Sequence, residues 1–125
     1  RRQRQMCKET AYNISPRFIK ANDQNAAKRA TYRYRKLVSL KEQPYNLIQI
    51  EAFGAHPARR IVYGIRNYYV VSGAGTFVVE GVEETVEPGT LIIIRPNEVY
   101  SYEGTMELVE FNIPTDGQIA HEDVG

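Results

Sequence analysis

The sequence predicts an all-β protein, a closed or two-sheet antiparallel structure of about eight short strands. Three observations predict it. From Thr31 onward the chain alternates with a period of two, in runs rich in Val, Ile, Tyr and Phe. Gly, Pro and Asn break those runs at short intervals. No apolar stripe with a 3.6-residue period persists, which excludes a helical bundle.

The elements follow in order. Residues 1–15 are polar and read as a flexible N-terminal segment, with Arg1, Arg2 and Arg4 as a solvated charge run. Residues 16–20 fit a short edge strand, because Pro16 suits a strand start. Residues 22–29 are the helical candidate, with Asn22 or Asp23 as a cap, but without an apolar stripe they support one or two turns at most. Strands are then expected at 31–40, 45–53, 60–71, 76–80, 84–87, 91–95, 99–102 and 106–113. Ser72-Gly73-Ala74-Gly75 lies between two of them and reads as a hairpin turn rather than a phosphate loop, which would precede a helix. One barrel domain therefore spans 16–114, and the polar residues 115–125 read as a tail.

Composition narrows the function classes. At 125 residues, 42% hydrophobic and 25% charged, the chain is one globular domain large enough to bury a core. A net charge of +1 supplies no field that would recruit nucleic acid or an anionic membrane. This also argues against Tyr32 and Tyr34, interleaved with Arg33, Arg35 and Lys36, as a nucleic-acid stacking platform. The single cysteine, Cys7, excludes an intrachain disulfide and a thiolate metal site. No signal peptide and no membrane-spanning apolar run are visible, so a cytoplasmic protein is expected, and Asn13-Ile14-Ser15 is a chance match to a glycosylation acceptor.

From Gly54 to Gly104 the glycine spacing resembles that of the cupins, small jelly-roll barrels also described as double-stranded β-helices. Their first motif is Gly, five residues, His-x-His, three or four residues, Glu, six residues, Gly. Gly54 and Gly73 stand at its ends, with Arg60 and Val62 at the two His positions and Arg66 at the Glu position. In the second motif Gly89 stands first, Arg95-Pro96-Asn97 replaces Pro-x-Gly, Tyr100 replaces the His, and Gly104 replaces the Asn. The resemblance implies the fold and leaves the activity open, because cupins include oxygenases, isomerases, epimerases, storage proteins and sugar-sensing domains.

The departures bear on chemistry. The family's usual metal site uses three His and one Glu. Arg has no free lone pair and stays cationic, so no metal and no cofactor are expected here. His56, in a loop and expected at the surface, and His121, in the tail, fall at no ligand position. Alternation puts Arg60, Val62, Gly64 and Arg66 on one face, which the resemblance turns toward the lumen. Buried arginines need a carboxylate, with Glu51 and Glu110 as candidates, or an anionic ligand, or a route to the barrel mouth.

The expected site is therefore Arg60, Arg66 and Tyr100, with Tyr68 and Tyr102 as aromatic walls. The leading reading is a metal-free module that binds a small polar molecule, sugar-like or anionic. An alternative is a cofactor-independent sugar-phosphate isomerase or epimerase, with Tyr100 as the candidate proton carrier. A third is a structural dimeric barrel with a sealed lumen. Strand 60–71 is apolar on both faces, and together with the dimerisation common in cupins this predicts a homodimer.

Overall fold

The structure, a computed structural model, describes residues 17–124. The readings placed on residues 1–16, including the N-terminal segment, Cys7 and Pro16, lie outside the described residues. A single 3₁₀ turn, Ala21–Asp23, precedes eight strands: β1 Ala27–Lys28, β2 Tyr32–Val38, β3 Asn46–Tyr63, β4 Ile65–Val79, β5 Val82–Val86, β6 Leu91–Ile94, β7 Val99–Ile113 and β8 Ala120–Asp123. All pairings are antiparallel, in the order β1-β2-β3-β7-β4-β5, with β6 on β4 and β8 on β3.

Four local expectations change. Residues 17–20 form no strand. The helical candidate is only the 3₁₀ turn followed by β1, because it has no apolar face to pack. The tail carries β8, held to β3 in antiparallel register by Arg59↔Asp123, Arg60↔Glu122 and Ile61↔His121. Ser72-Gly73-Ala74-Gly75 is no hairpin turn but the middle of β4, and the break at Gly54 is likewise absorbed into β3.

The absorbed breaks have a common cause. Gly54, Gly104 and Gly75 lie side by side across β3, β7 and β4. A Cβ at Gly75 would meet the Glu103 carbonyl oxygen at 2.4 Å, and one at Gly104 would meet the Ala74 carbonyl oxygen at 2.6 Å. Gly104 also has φ 145°, outside the range side chains favour. A row without side chains lets three long strands bend together, so each contributes to both walls of the barrel.

β7 alternates strictly: Tyr100, Tyr102, Met106, Leu108, Glu110 and Asn112 are buried and their neighbours are less so. Its two flanking strands are not regular. The register of β3 slips by one residue between His56 and Arg59, and that of β4 slips between Val70 and Ser72. Each slip reverses which parity faces inward. The core is Tyr68, Val70, Phe77, Ile94, Tyr100 and Leu108, with Ile61 against them.

Candidate functional site

Arg66 enters the barrel one residue after the start of β4. Its register partners are Asn112 on β7 and Ile94 on β6, and its side chain is buried. Such a charge needs internal partners, and it has them. Nε donates to Asn112 Oδ1 at 2.9 Å, Nη1 to the Tyr100 hydroxyl at 2.9 Å, and Nη2 to His121 Nδ1 at 3.0 Å. Glu110, also buried, lies 3.5 Å from Nε and accepts from Asn112 Nδ2 at 2.8 Å. The Tyr68 and Tyr100 hydroxyls bond to each other at 2.8 Å. Burial opposes the guanidinium charge, but Glu110 and the two tyrosines outweigh it, so the Arg66 pKa is raised.

A cavity of about 350 Å³ opens beside this network. Arg66, Glu110, Asn112 and His121 form one wall, and Tyr32, Tyr34, Ile48 and Ile50 form another. Arg29, Lys36 and Arg59 add cationic groups, and Asn46 lies at one end of β3. Arg59 Nε donates to Asp123 at 2.9 Å and Nη2 reaches the Tyr32 hydroxyl at 3.4 Å. Among the described residues no carboxylate pairs with Arg29 or Lys36. Arg29 instead donates to the Tyr34 hydroxyl at 3.1 Å, with its guanidinium over the same ring.

The expected site is only partly brought together. Arg66 is internal and paired with Glu110, one of its two candidate partners. Glu51, the other, faces outward and pairs with Arg33. Arg60 is not in the lumen. Ile61 is its inward neighbour, and Arg60 faces Glu122 at 3.6 Å and the Asn97 carbonyl at 3.3 Å. The shared parity of Arg60 and Arg66 fails because Gly64, with φ 100°, ends β3 and restarts the alternation in β4. Tyr68, Tyr100 and Tyr102 face inward but are packed in the core, and none is among the residues lining this cavity. Burial raises the pKa of all three; Arg66 opposes the rise at Tyr100.

Both histidines stand elsewhere than expected. His56 is buried, with ring centroids 4.6 Å from Tyr102, 5.6 Å from Tyr100 and 5.2 Å from Tyr32. Its Nδ1 donates to the Pro57 carbonyl at 2.7 Å. Burial and the nearby Arg59 lower its pKa to about 4. His121 reaches Arg66 because β8 folds back on β3, and burial, Arg66 and Arg59 lower its pKa as well. As an acceptor at Nδ1, its neutral form carries the proton on Nε2.

Sequence reasoning missed Arg59, Asn112 and His121. Asn112 shares the parity of Glu110 on an uninterrupted strand and was findable. Pro57 was a signal for the ladder irregularity that turns Arg59 inward. For His121 no local signal exists, since its stretch of sequence is polar throughout.

The donor set does not fit the metal site usual for this kind of barrel. Among the described residues no three His, Cys, Asp or Glu side chains come together as a metal set. Arg66 places a permanent cation between Glu110 and His121.

Comparison of the backbone with solved structures decides the architecture. A Streptomyces Pac13 variant with uridine superposes with a TM-score of 0.73 at 17% identity, over 89% of this chain and 95% of that one. Pac13 is described as a unique nucleoside dehydratase. The polyketide cyclase RemF of Streptomyces resistomycificus gives 0.72 at 18% identity, over 89% and 87%. An RmlC-like cupin from Shewanella frigidimarina gives 0.66 at 16% identity, over 82% and 94%. The chain has the cupin fold. No family model matches the sequence, and no curated protein matches it. None of its helices among the described residues is long and apolar enough to cross a membrane.

Two predictions follow from the network. Replacing Glu110 by Leu leaves Arg66 buried without its carboxylate and is expected to cost about 3–5 kcal/mol. The Arg66→Met, Glu110→Leu double variant is expected to cost less than that single change. Denaturant unfolding checks both, and a double variant as unstable as the sum of the singles would overturn the pairing. The histidines give a pH dependence. A histidine with a lowered folded pKa takes up its proton in the unfolded chain first, so stability is lost as pH falls from 6.5 towards about 4. For His56 the loss is on the order of 3 kcal/mol. The melting temperature of the protein should fall across that window, and His56→Phe should flatten the fall.

Proposed function

We propose that this cupin binds a small anionic, polar molecule in the cavity beside Arg66. The observation that carries the reading is the charge balance of the lining. Glu110 answers Arg66 and Asp123 answers Arg59, whereas Arg29 and Lys36 have no carboxylate partner among the described residues. An anion completes that balance, and a guanidinium and an ammonium lining one cavity suit phosphate or carboxylate. The cavity, about 350 Å³, has the size of a small-molecule site. Its apolar side, Ile48 and Ile50 with Tyr32 and Tyr34, suits the uncharged part of such a molecule.

The alternatives have less support. The isomerase reading relied on Tyr100 to move a proton. That hydroxyl is buried, engaged by Arg66 and Tyr68, and raised in pKa by its burial. A sealed lumen is hard to reconcile with the open cavity beside Glu110 and His121. Similarity to a nucleoside dehydratase and a polyketide cyclase at these identities carries the fold and not a reaction.

The proposal includes a homodimer through the outer sheet. Leu47, Tyr69, Leu91, Val109, Phe111 and Ile113 line an almost wholly apolar groove on that face, and Leu91 is 56% exposed. A second copy would cover it.

Two measurements test these readings. Inorganic phosphate and small carboxylates are expected to raise the melting temperature, and Arg29→Ala with Lys36→Ala to weaken phosphate binding about tenfold or more. An unchanged affinity in that variant would remove the basis of the anion site. Sedimentation at micromolar concentration is expected to give a dimer, and Leu91→Asp with Ile113→Asp a monomer. A wild-type monomer would end the dimer proposal.

A further inference from the structure

Two arginines of the cavity lining are answered by carboxylates, and the two carboxylates differ. Glu110, which answers Arg66, is buried on β7 and is held by Asn112 as well. Asp123, which answers Arg59, has a side chain that is 74% exposed. It ends a four-residue strand whose last three residues are all exposed.

β8 presents Asp123 on the cavity side. Arg59 and Ile61 alternate onto the same face of β3, and Ile61 is buried. Their cross-strand partners on β8 are Asp123 and His121, and His121 lines the cavity. Glu122, between those two, lies on the opposite face, against Arg60. The Arg59 guanidinium is shared. Its Nε donates to Asp123 Oδ1 at 2.9 Å, and its Nη2 donates at 3.4 Å to the hydroxyl of Tyr32, another lining residue. One end of the group is thus at the cavity while the other is taken by the carboxylate.

We infer that Arg59 is a third anion-binding residue of the cavity, beside Arg29 and Lys36, and that Asp123 is a tethered competitor for it, an autoinhibitory contact built into β8. This rests on the anion site proposed above and adds to it a control on affinity. An anion that takes Arg59 displaces the Asp123 carboxylate into water, to which that side chain is already largely exposed. Exposed ion pairs are weak, so the competitor yields and lowers the affinity only a few-fold. Linkage is reciprocal: whatever draws Asp123 away from Arg59 tightens the site. Glu110 has no such role, because its burial beside Arg66 leaves it no way into solvent.

Calorimetric titration of the full chain with inorganic phosphate tests the inference. Asp123→Asn is expected to tighten phosphate binding about threefold. Glu122→Gln removes the same charge from the next residue, on the face away from the cavity, and is expected to leave the affinity unchanged. In an Arg59→Gln background, Asp123→Asn is expected to give no gain. Equal tightening in Asp123→Asn and Glu122→Gln would make the effect one of overall charge and overturn the assignment. An affinity unchanged or weakened in Asp123→Asn, or a gain that persists without Arg59, would overturn it too, and would leave the anion site at Arg29 and Lys36 standing. If Arg59→Gln does not fold, the comparison of Asp123→Asn with Glu122→Gln decides alone, since both replace exposed side chains. If phosphate binds neither the wild type nor Asp123→Asn, the anion site itself fails, and this inference with it.

Discussion

The structure depends on a charge buried inside a barrel. Arg66 is buried inside the barrel, and burying a guanidinium in that place imposes requirements on every element around it. β7 must deliver Glu110 and Asn112, and it does so because its fifteen residues alternate without interruption. Tyr100 must present an oxygen, which ties Tyr68 into the same network. β8 must fold back far enough to bring His121 to the guanidinium. One side chain thus links β4, β7 and β8. A fixed cation between Glu110 and His121 is also a poor neighbour for a divalent metal.

A second constraint is geometric. Gly54, Gly104 and Gly75 form a row in which added side chains would collide with backbone. The row allows β3, β7 and β4 to turn as a unit. The same long strands therefore supply the aromatic end, with His56, Phe77 and Tyr102, and the polar end, with Glu110 and Asn112. The cavity lies at the polar end and the tightly packed aromatic groups at the other. This is why Tyr68 and Tyr102, both inward-facing, stabilise the core rather than line the cavity.

Charge is distributed unevenly over a chain that is almost neutral overall. On the outer face Arg33 and Arg35 are balanced by Glu51. At β8, Arg59 and Arg60 are balanced by Asp123 and Glu122 on opposite sides of the same strand pair. Arg29 and Lys36, which have no carboxylate partner among the described residues, are therefore a local excess at the cavity that the total charge conceals. The outer apolar groove around Leu91 and Ile113 is a separate surface that shares no lining residue with the cavity.

The sequence by itself determined the all-β class, the jelly-roll spacing of its glycines, and a buried arginine in search of a carboxylate. These are legible because they rest on local periodicity, on residues that punctuate strands, and on a charge rule that holds wherever the side chain is buried. Glu110 was within reach for the same reason, since nothing interrupts the alternation from Met106 to Asn112. Only the tertiary structure decided which arginine would join it. Alternation placed Arg60 beside Arg66, and the left-handed turn at Gly64 undid that, after the one-residue slip between His56 and Arg59 had turned Arg60 outward. Each reverses the face of everything beyond it, so an error of one residue moves a side chain from cavity to solvent. His121 was decided in the same way, because a polar segment becomes a strand only when β3 offers it an edge and Arg66 offers it a partner.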